Sequence, residues 1–239
     1  THISFKHIGK AMLRKISNIG LPTGLQMIFE TGVFSAAIWI SGVLGENQLS
    51  ANQIALNLSS MTFMVANGLG ITAMIRVGNQ LGAKNYVNLR RVAFSVFLLV
   101  LCTQVFFAGL LALLRDWLPS LYLEMDNIEK AATNAAVISE AANLLLIAAI
   151  FQISDGLQVT ALGALRGVQD AKIPMVITFI AYWLIAFPIL CFLGLHTSLG
   201  TMGIWIGLLT GLTAAAIFLL YRFNHISLRL IANRHKLPN

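Results

Sequence analysis

Six long apolar runs constrain what this chain can fold into more than any other feature. They are Leu21 to Leu44, Ser50 to Ile75, Val92 to Leu114, Val137 to Leu165, Ile173 to Leu195 and Leu199 to Phe223. A hydrocarbon core about 30 Å thick is crossed by a helix of about 20 apolar residues. Backbone amides in lipid must be satisfied within each segment or in a closed barrel, and runs this long and continuous exceed barrel strands. The expectation is an all-α polytopic membrane protein with six transmembrane helices. Composition agrees: 57% of residues are hydrophobic and 10% charged, against about 25% charged in ordinary globular proteins.

The net charge of +7 suggests nucleic acid until its distribution is read. Lys6, Lys10, Arg14 and Lys15 precede the first span, Arg76, Lys84, Arg90 and Arg91 follow the second, Arg166 and Lys172 follow the fourth, and Arg222, Arg229, Arg234 and Lys236 close the chain. The opposite side has only Arg115 and Lys130, beside Glu46, Asp116, Glu124, Asp126 and Glu129. No aromatic-basic platform accompanies these charges, so nucleic acid is not an expected partner. The bias places both termini of this segment in the cytoplasm. The chain divides into a cytoplasmic amphipathic arm (1–20), a six-helix membrane unit (21–223) and a basic cytoplasmic tail (224–239). Thr1 reads as an internal start, because the apolar stretch from Leu21 is too long for a signal peptide and lacks a cleavage site.

Several smaller features yield expectations of their own. Cys102 and Cys191 lie in apolar runs and read as small core residues without disulfide or metal spacing. Gly203, Gly207 and Gly211, at four-residue spacing, form a stripe for close helix approach. Pro188 should distort span five. The link from Arg115 to Ala136 should lie at the outer interface as a turn plus a short amphipathic helix. Arg76, Gly78, Ala83 and Lys84 loosely echo Arg166, Gly167, Ala171 and Lys172, which suggests shared turn chemistry rather than a repeat.

Polar residues inside the apolar runs are the functional candidates, because a carboxylate at mid-membrane depth costs at least about 2.5 to 3.5 kcal/mol. Asp155 sits in FQISDGLQVTALGALRG with Gln152 and Gln158 within a turn, and Phe151 and Gln158 share its helical face. Glu30 sits in LPTGLQMIFETGVF, on one face with Thr23 and Gln26. Counting about nine residues from Leu21 and about eleven back from Arg166, at about 1.5 Å each, puts the two acids roughly 13 and 16 Å from the same surface. They read either as a shared site where protons and metal cations compete for the same oxygens, or as two acids separately satisfied by interhelical hydrogen bonds. Gln53 and Asn57 in span two read equally as ligands or as interhelical amide glue. Asn52, near the outer end, and Glu140, at the outer mouth of span four, read as solvated. Every histidine lies outside the spans, so no histidine relay is available.

The succession LPTGLQMIFETGVF, ANQIALNLSSMTFMVANGLGITAMIRVGNQLGAKN and FQISDGLQVTALGALRGVQD resembles the C-terminal half of a multidrug and toxic compound extrusion transporter, over nearly the whole chain from Ser17 to Phe223. The resemblance implies one six-helix lobe of a two-lobed, twelve-helix transporter in the plasma (bacterial inner) membrane, exporting organic cations in exchange for sodium ions or protons. It puts the cation site on Glu30 and Asp155, holding a monovalent cation, with the span-two polar motif on Gln53 and Asn57. Gln26, Phe34, Phe151, Gln152 and Gln158 are the substrate-cavity candidates. Phe151 stands where some family members have a tyrosine, which removes one oxygen. The resemblance implies no cofactor beyond the coupling ion. Expected partners are small organic cations, the lipid bilayer, and either the missing N-terminal lobe or a second copy.

Three rival readings are open at this point. A flippase for lipid-linked saccharides would need a cationic cavity for a diphosphate, and no Lys or Arg is expected within a span. An intramembrane hydrolase would need a nucleophile motif or a metal motif that the chain lacks. A noncatalytic membrane assembly subunit predicts no efflux at all. The expected protein is a secondary active multidrug antiporter and not an enzyme.

Overall fold

The computed structural model of the chain describes residues 9–123 and 130–234. Glu124, Asp126 and Glu129, with Lys6, Lys236 and the outermost parts of the arm and tail, lie outside the described residues. Helix α1 (Lys10–Leu44) runs into α2 (Glu46–Gly82), then α3 (Tyr86–Leu113), a 3-10 turn (Leu118–Tyr122) and α4 (Ala131–Gly167). Next come α5 (Lys172–Phe179), a π-helical stretch (Ile180–Ala186) and α6 (Phe187–His196), which together make the fifth crossing, and then α7 (Thr201–Arg234). Six helical segments are long and apolar enough to cross a membrane, and no strand occurs among the described residues.

The helices overrun the apolar runs at the basic end. Helix α1 is continuous through residue 20, with Pro22 inside it, and α7 continues to Arg234. Of the expected turn and short helix before span four, the described residues give the 3-10 turn and the start of α4 at Ala131; residues 124–129 lie outside the described residues.

Helix α4 is the hub, packing on α2, α3 and α7 and buried along most of its length. Its seam with α2 has almost no side-chain thickness. A Cβ on Gly163 would overlap the Gly70 carbonyl oxygen, and one on Gly167 would come within 2.7 Å of the Met74 carbonyl oxygen. The α7 stripe does what its spacing implied: Cβ atoms on Gly203 and Gly207 would each lie 2.5 Å from backbone atoms of Leu193 and Leu190, and one on Gly211 would overlap Ala186.

The distortion expected at Pro188 takes the form of the π stretch. A proline ring clashes with the carbonyl four residues earlier in an α-helix, and here the register before Pro188 is already widened, with the Phe187 amide donating to the Tyr182 carbonyl. The two basic-end turns share chemistry, but not in the register of the sequence echo. Asn85 donates to Gln80 and Asp170 to Leu165 across helix ends, with Lys84 (φ 54°) and Gln169 (φ 63°) in the left-handed region.

Two expectations need correcting. Cys102 is exposed on the flank of α3 and Cys191 is partly exposed, because an apolar run in a membrane helix has a lipid-facing side as well as a core side. Glu140 is half-buried rather than solvated, and accepts a hydrogen bond from the buried Thr201 hydroxyl.

Gly163→Ala is expected to destabilise the fold by at least about 1–3 kcal/mol, the cost of overpacking a tight contact. Gly68→Ala, where an added methyl would meet nothing within 4 Å, should be neutral or stabilising by up to about 1 kcal/mol. Thermal unfolding of the two purified variants in detergent is the check.

Candidate cation site and the polar seams of the helix bundle

Glu30 reaches the interior from α1 on the same face as Gln26, one turn earlier. Gln26 is buried, and its Oε1 accepts from Arg166 Nη2 at 2.9 Å. The Arg166 charge acts on the Glu30 carboxylate, beside Gln26. From the π stretch, Tyr182 Oη donates to Glu30 Oε1 at 3.4 Å, and the neighbouring Trp183 Nε1 donates to the Phe29 carbonyl at 3.2 Å. Glu30 is thus held by a hydroxyl and faced by a guanidinium charge.

Asp155 contrasts with it. It is 7% exposed on α4, and among the described residues no side chain donates a hydrogen bond to it. Its electrostatic partner is Glu30, whose charge acts on it. The structure therefore brings together the two acids that the depth count placed at one level. A buried carboxylate without a donor is costly unless a proton or cation completes it. Two carboxylates and a phenol offer the oxygen ligands that a hard monovalent cation takes, with the Arg166 charge on the Glu30 side.

Arg166 corrects the expectation of spans free of basic residues. Its backbone is in the last turn of α4, but helix side chains lean toward the N-terminus, so its guanidinium reaches back to Gln26. Counting Arg166 as a topology marker hid this second role. Tyr182 was also missed, because its tyrosine hydroxyl sits in an otherwise apolar run and its facing depends on the π register.

The remaining candidates are spread over the bundle. Phe34 and Phe151 meet edge to face at 6.0 Å, and Phe151 meets Trp205 at 5.4 Å. Gln152 is buried in the α3–α4 seam in a reciprocal pair: Gln104 Nε2 donates to the Gln152 carbonyl at 3.1 Å, and Gln152 Nε2 to the Gln104 carbonyl at 3.4 Å. Gly156 makes room for this pair, since a Cβ there would lie 2.6 Å from Gln104 Cγ. Gln158 is fully buried, and neither amide atom has a hydrogen-bond partner among the described residues.

Gln53 and Asn57 lie on the exposed face of α2, and the structure shows no hydrogen bond from either to the carboxylate pair. Asn57 Oδ1 accepts from Tyr122 Oη at 3.0 Å. Asn52, expected to be solvated, is 1% exposed and accepts from Trp205 Nε1 at 2.9 Å. Its backbone is near the outer end, but its side chain faces α7, where the indole needs an acceptor.

Comparison with known proteins follows the same lines. The sequence profile of the MatE family matches residues 22–192. The multidrug resistance protein NorM of Burkholderia vietnamiensis is 39% identical over 221 residues, 92% of this chain and 47% of that protein. The multidrug resistance protein PmpM of Pseudomonas aeruginosa is 37% identical over 232 residues, 95% of this chain and 47% of that protein. An outward-facing structure of a multidrug resistance MATE family transporter superposes with a TM-score of 0.83 at 16% identity, covering 97% of this chain and 51% of that one. At that identity the likeness establishes the fold. The chain spans about half the length of the curated relatives it matches.

Trp205→Phe should cost about 1–3 kcal/mol by orphaning the buried Asn52 Oδ1, whereas Trp205→Phe combined with Asn52→Leu should recover much of that loss, since removing both partners leaves nothing unsatisfied. Midpoints of thermal unfolding for the single and double variants test the pair.

Proposed function

This chain belongs to the MatE family, and we propose that it forms the C-terminal lobe of a secondary multidrug antiporter that exports organic cations and other xenobiotics in exchange for sodium ions or protons. The observation that carries this reading is Asp155, a buried acid without a donor, electrically linked through Glu30 to a third helix and to Arg166. Two carboxylates and one guanidinium leave a single negative charge when all three are ionised. One proton or one monovalent cation balances it, and a buried charge that must be balanced favours whichever state of the protein supplies the balance. Loading the pair therefore biases the lobe between two arrangements, which is what coupling to an ion gradient requires. The names of the relatives support drug efflux, and the two carboxylates suit both ions.

In this reading the cavity is completed by a second lobe, either the N-terminal half of a longer protein or another copy. The bias of Lys and Arg, sixteen in all with only Arg115 and Lys130 on the sparse side, supports cytoplasmic ends in a bacterial inner membrane. A protease-sensitive tag at the C-terminus should be cleaved only in inside-out vesicles; cleavage from the outer face would reverse this orientation.

Asp155→Asn and Glu30→Gln, each in the complete protein reconstituted in vesicles, should lower ion-driven efflux of a fluorescent organic cation by about tenfold or more, the loss of one stabilising charge interaction. Unchanged ion-driven efflux in both variants would refute the cation-site assignment.

A further inference from the structure

The fifth crossing brings a hydroxyl to the carboxylate pair. Tyr182 is 0% exposed, and its hydrogen-bond acceptor is Glu30. The charges of both Glu30 and Asp155 act on the phenol, so it belongs with the two acids rather than with Glu30 alone. A phenol that donates to one carboxylate keeps its oxygen lone pairs for a cation, and hard cations take oxygen ligands from hydroxyls as well as carboxylates.

Three contacts make this placement a built one. Trp183, the next residue, is fixed to α1 through the Phe29 carbonyl. Gly32 is what admits the indole, since a Cβ there would lie 3.0 Å from Trp183 Cζ2. The π stretch from Ile180 to Ala186 sets the register in which consecutive aromatic residues both engage α1, and π segments inside α-helices occur frequently at functional sites.

We propose that Tyr182 is the third oxygen-bearing side chain of the coupling-cation site, donating a hydrogen bond to Glu30 while its oxygen joins the two carboxylates around the bound cation. The inference rests on the cation-coupled reading above and assigns span five a direct share in it. Neither composition nor periodicity singles out this residue.

The test uses the complete protein in proteoliposomes. Efflux of a fluorescent organic cation is measured against the concentration of the driving ion, Na+ or H+, for wild type, Tyr182→Phe, Trp205→Phe and Asp155→Asn. Tyr182→Phe keeps the ring and removes only the hydroxyl. It should raise the half-saturating ion concentration about five- to tenfold, with the maximal rate changed by less than about twofold, as expected from losing one interaction made in the bound state. Trp205→Phe breaks the Asn52 pair on α7 without touching the oxygen set or its supports, and should leave the half-saturating concentration within about twofold.

An unaltered ion dependence in Tyr182→Phe, alongside lost coupling in Asp155→Asn, would overturn this inference and leave the cation site standing. Ion-driven efflux that survives Asp155→Asn would overturn the cation site itself. A fall in maximal rate shared equally by Tyr182→Phe and Trp205→Phe, with no change in half-saturation, would assign Tyr182 to packing and would also overturn the inference. Equilibrium binding of 22Na+ to detergent-purified wild type and Tyr182→Phe gives a second reading where sodium is the driving ion, with the same five- to tenfold weakening expected.

Discussion

The contact on which the rest of the bundle depends is the α2–α4 seam, where Gly163 lies against the Gly70 carbonyl and Gly167 against that of Met74. Lipid tails are as apolar as leucine, so burying apolar side chains does not by itself drive helices together in a membrane. Close packing and interhelical hydrogen bonds do. With glycines on the seam, α2 and α4 approach backbone to backbone, which leaves α4 free to meet α3 and α7 on its other sides. That central position is why one helix carries Phe151, Gln152, Asp155 and Gln158, all buried. An acid on a peripheral helix would meet lipid or water; on α4 it meets protein.

Around this column the polar groups sort into two kinds. Most are paired between helices: Asn52 with Trp205, Gln104 with Gln152, Glu140 with Thr201, and Ser154 with Thr213 at 2.9 Å. At the basic end Asp170 holds Arg222 at 2.9 Å, and Arg90 donates to Ser227 at 3.0 Å. Such pairs fix register, although Asn52 Nδ2, Gln104 Oε1 and Gln152 Oε1 are left without a partner among the described residues. Gln158 goes further, since neither amide atom has a partner, and Asp155, one turn away, accepts from no side chain among the described residues. Unsatisfied polar groups cost stability wherever they are buried, so two of them in adjacent turns of the most enclosed helix mark where the fold gives up stability.

How much of this was legible in the sequence depends on what each signal is made of. The six helices and the glycine stripe were legible because length, apolarity and four-residue spacing are local properties that packing does not alter. Glu30 and Asp155 were legible because an acid in an apolar run stands out, and counting residues from the span ends gives depth. What failed were inferences about where a side chain points. Asn52 was placed by the height of its backbone and not by the face it presents to α7. Arg166 was treated as a point at the helix end, though its long side chain leans back into the bundle. Gln152 shares a turn with Asp155 yet serves the α3–α4 seam, because a helix at the centre of a bundle has a different neighbour every 100° or so. Gln104 had no signal except its amide in an apolar run.

Pro188 is where local sequence and global packing meet. In a regular α-helix the buried positions of span five would follow a single phase, and the turn before the proline would be strained by its ring. The π stretch removes that clash and also changes the phase of the helix. Up to its first turn, Pro174, Thr178, Ala181 and Tyr182 face inward; from its last residue on, Ala186, Leu190 and Gly194 do so at regular four-residue spacing. The second set meets the glycines of α7, with Gly211 on Ala186 and Gly207 on Leu190. The first set ends in Tyr182 at Glu30. One crossing therefore serves two partners, Glu30 of α1 through Tyr182 and the glycines of α7 through Ala181, Ala186 and Leu190, and the widened turn lies where the two meet. A proline that weakens the helix in isolation is what lets this span pack on α7 and hold a hydroxyl at the carboxylate pair.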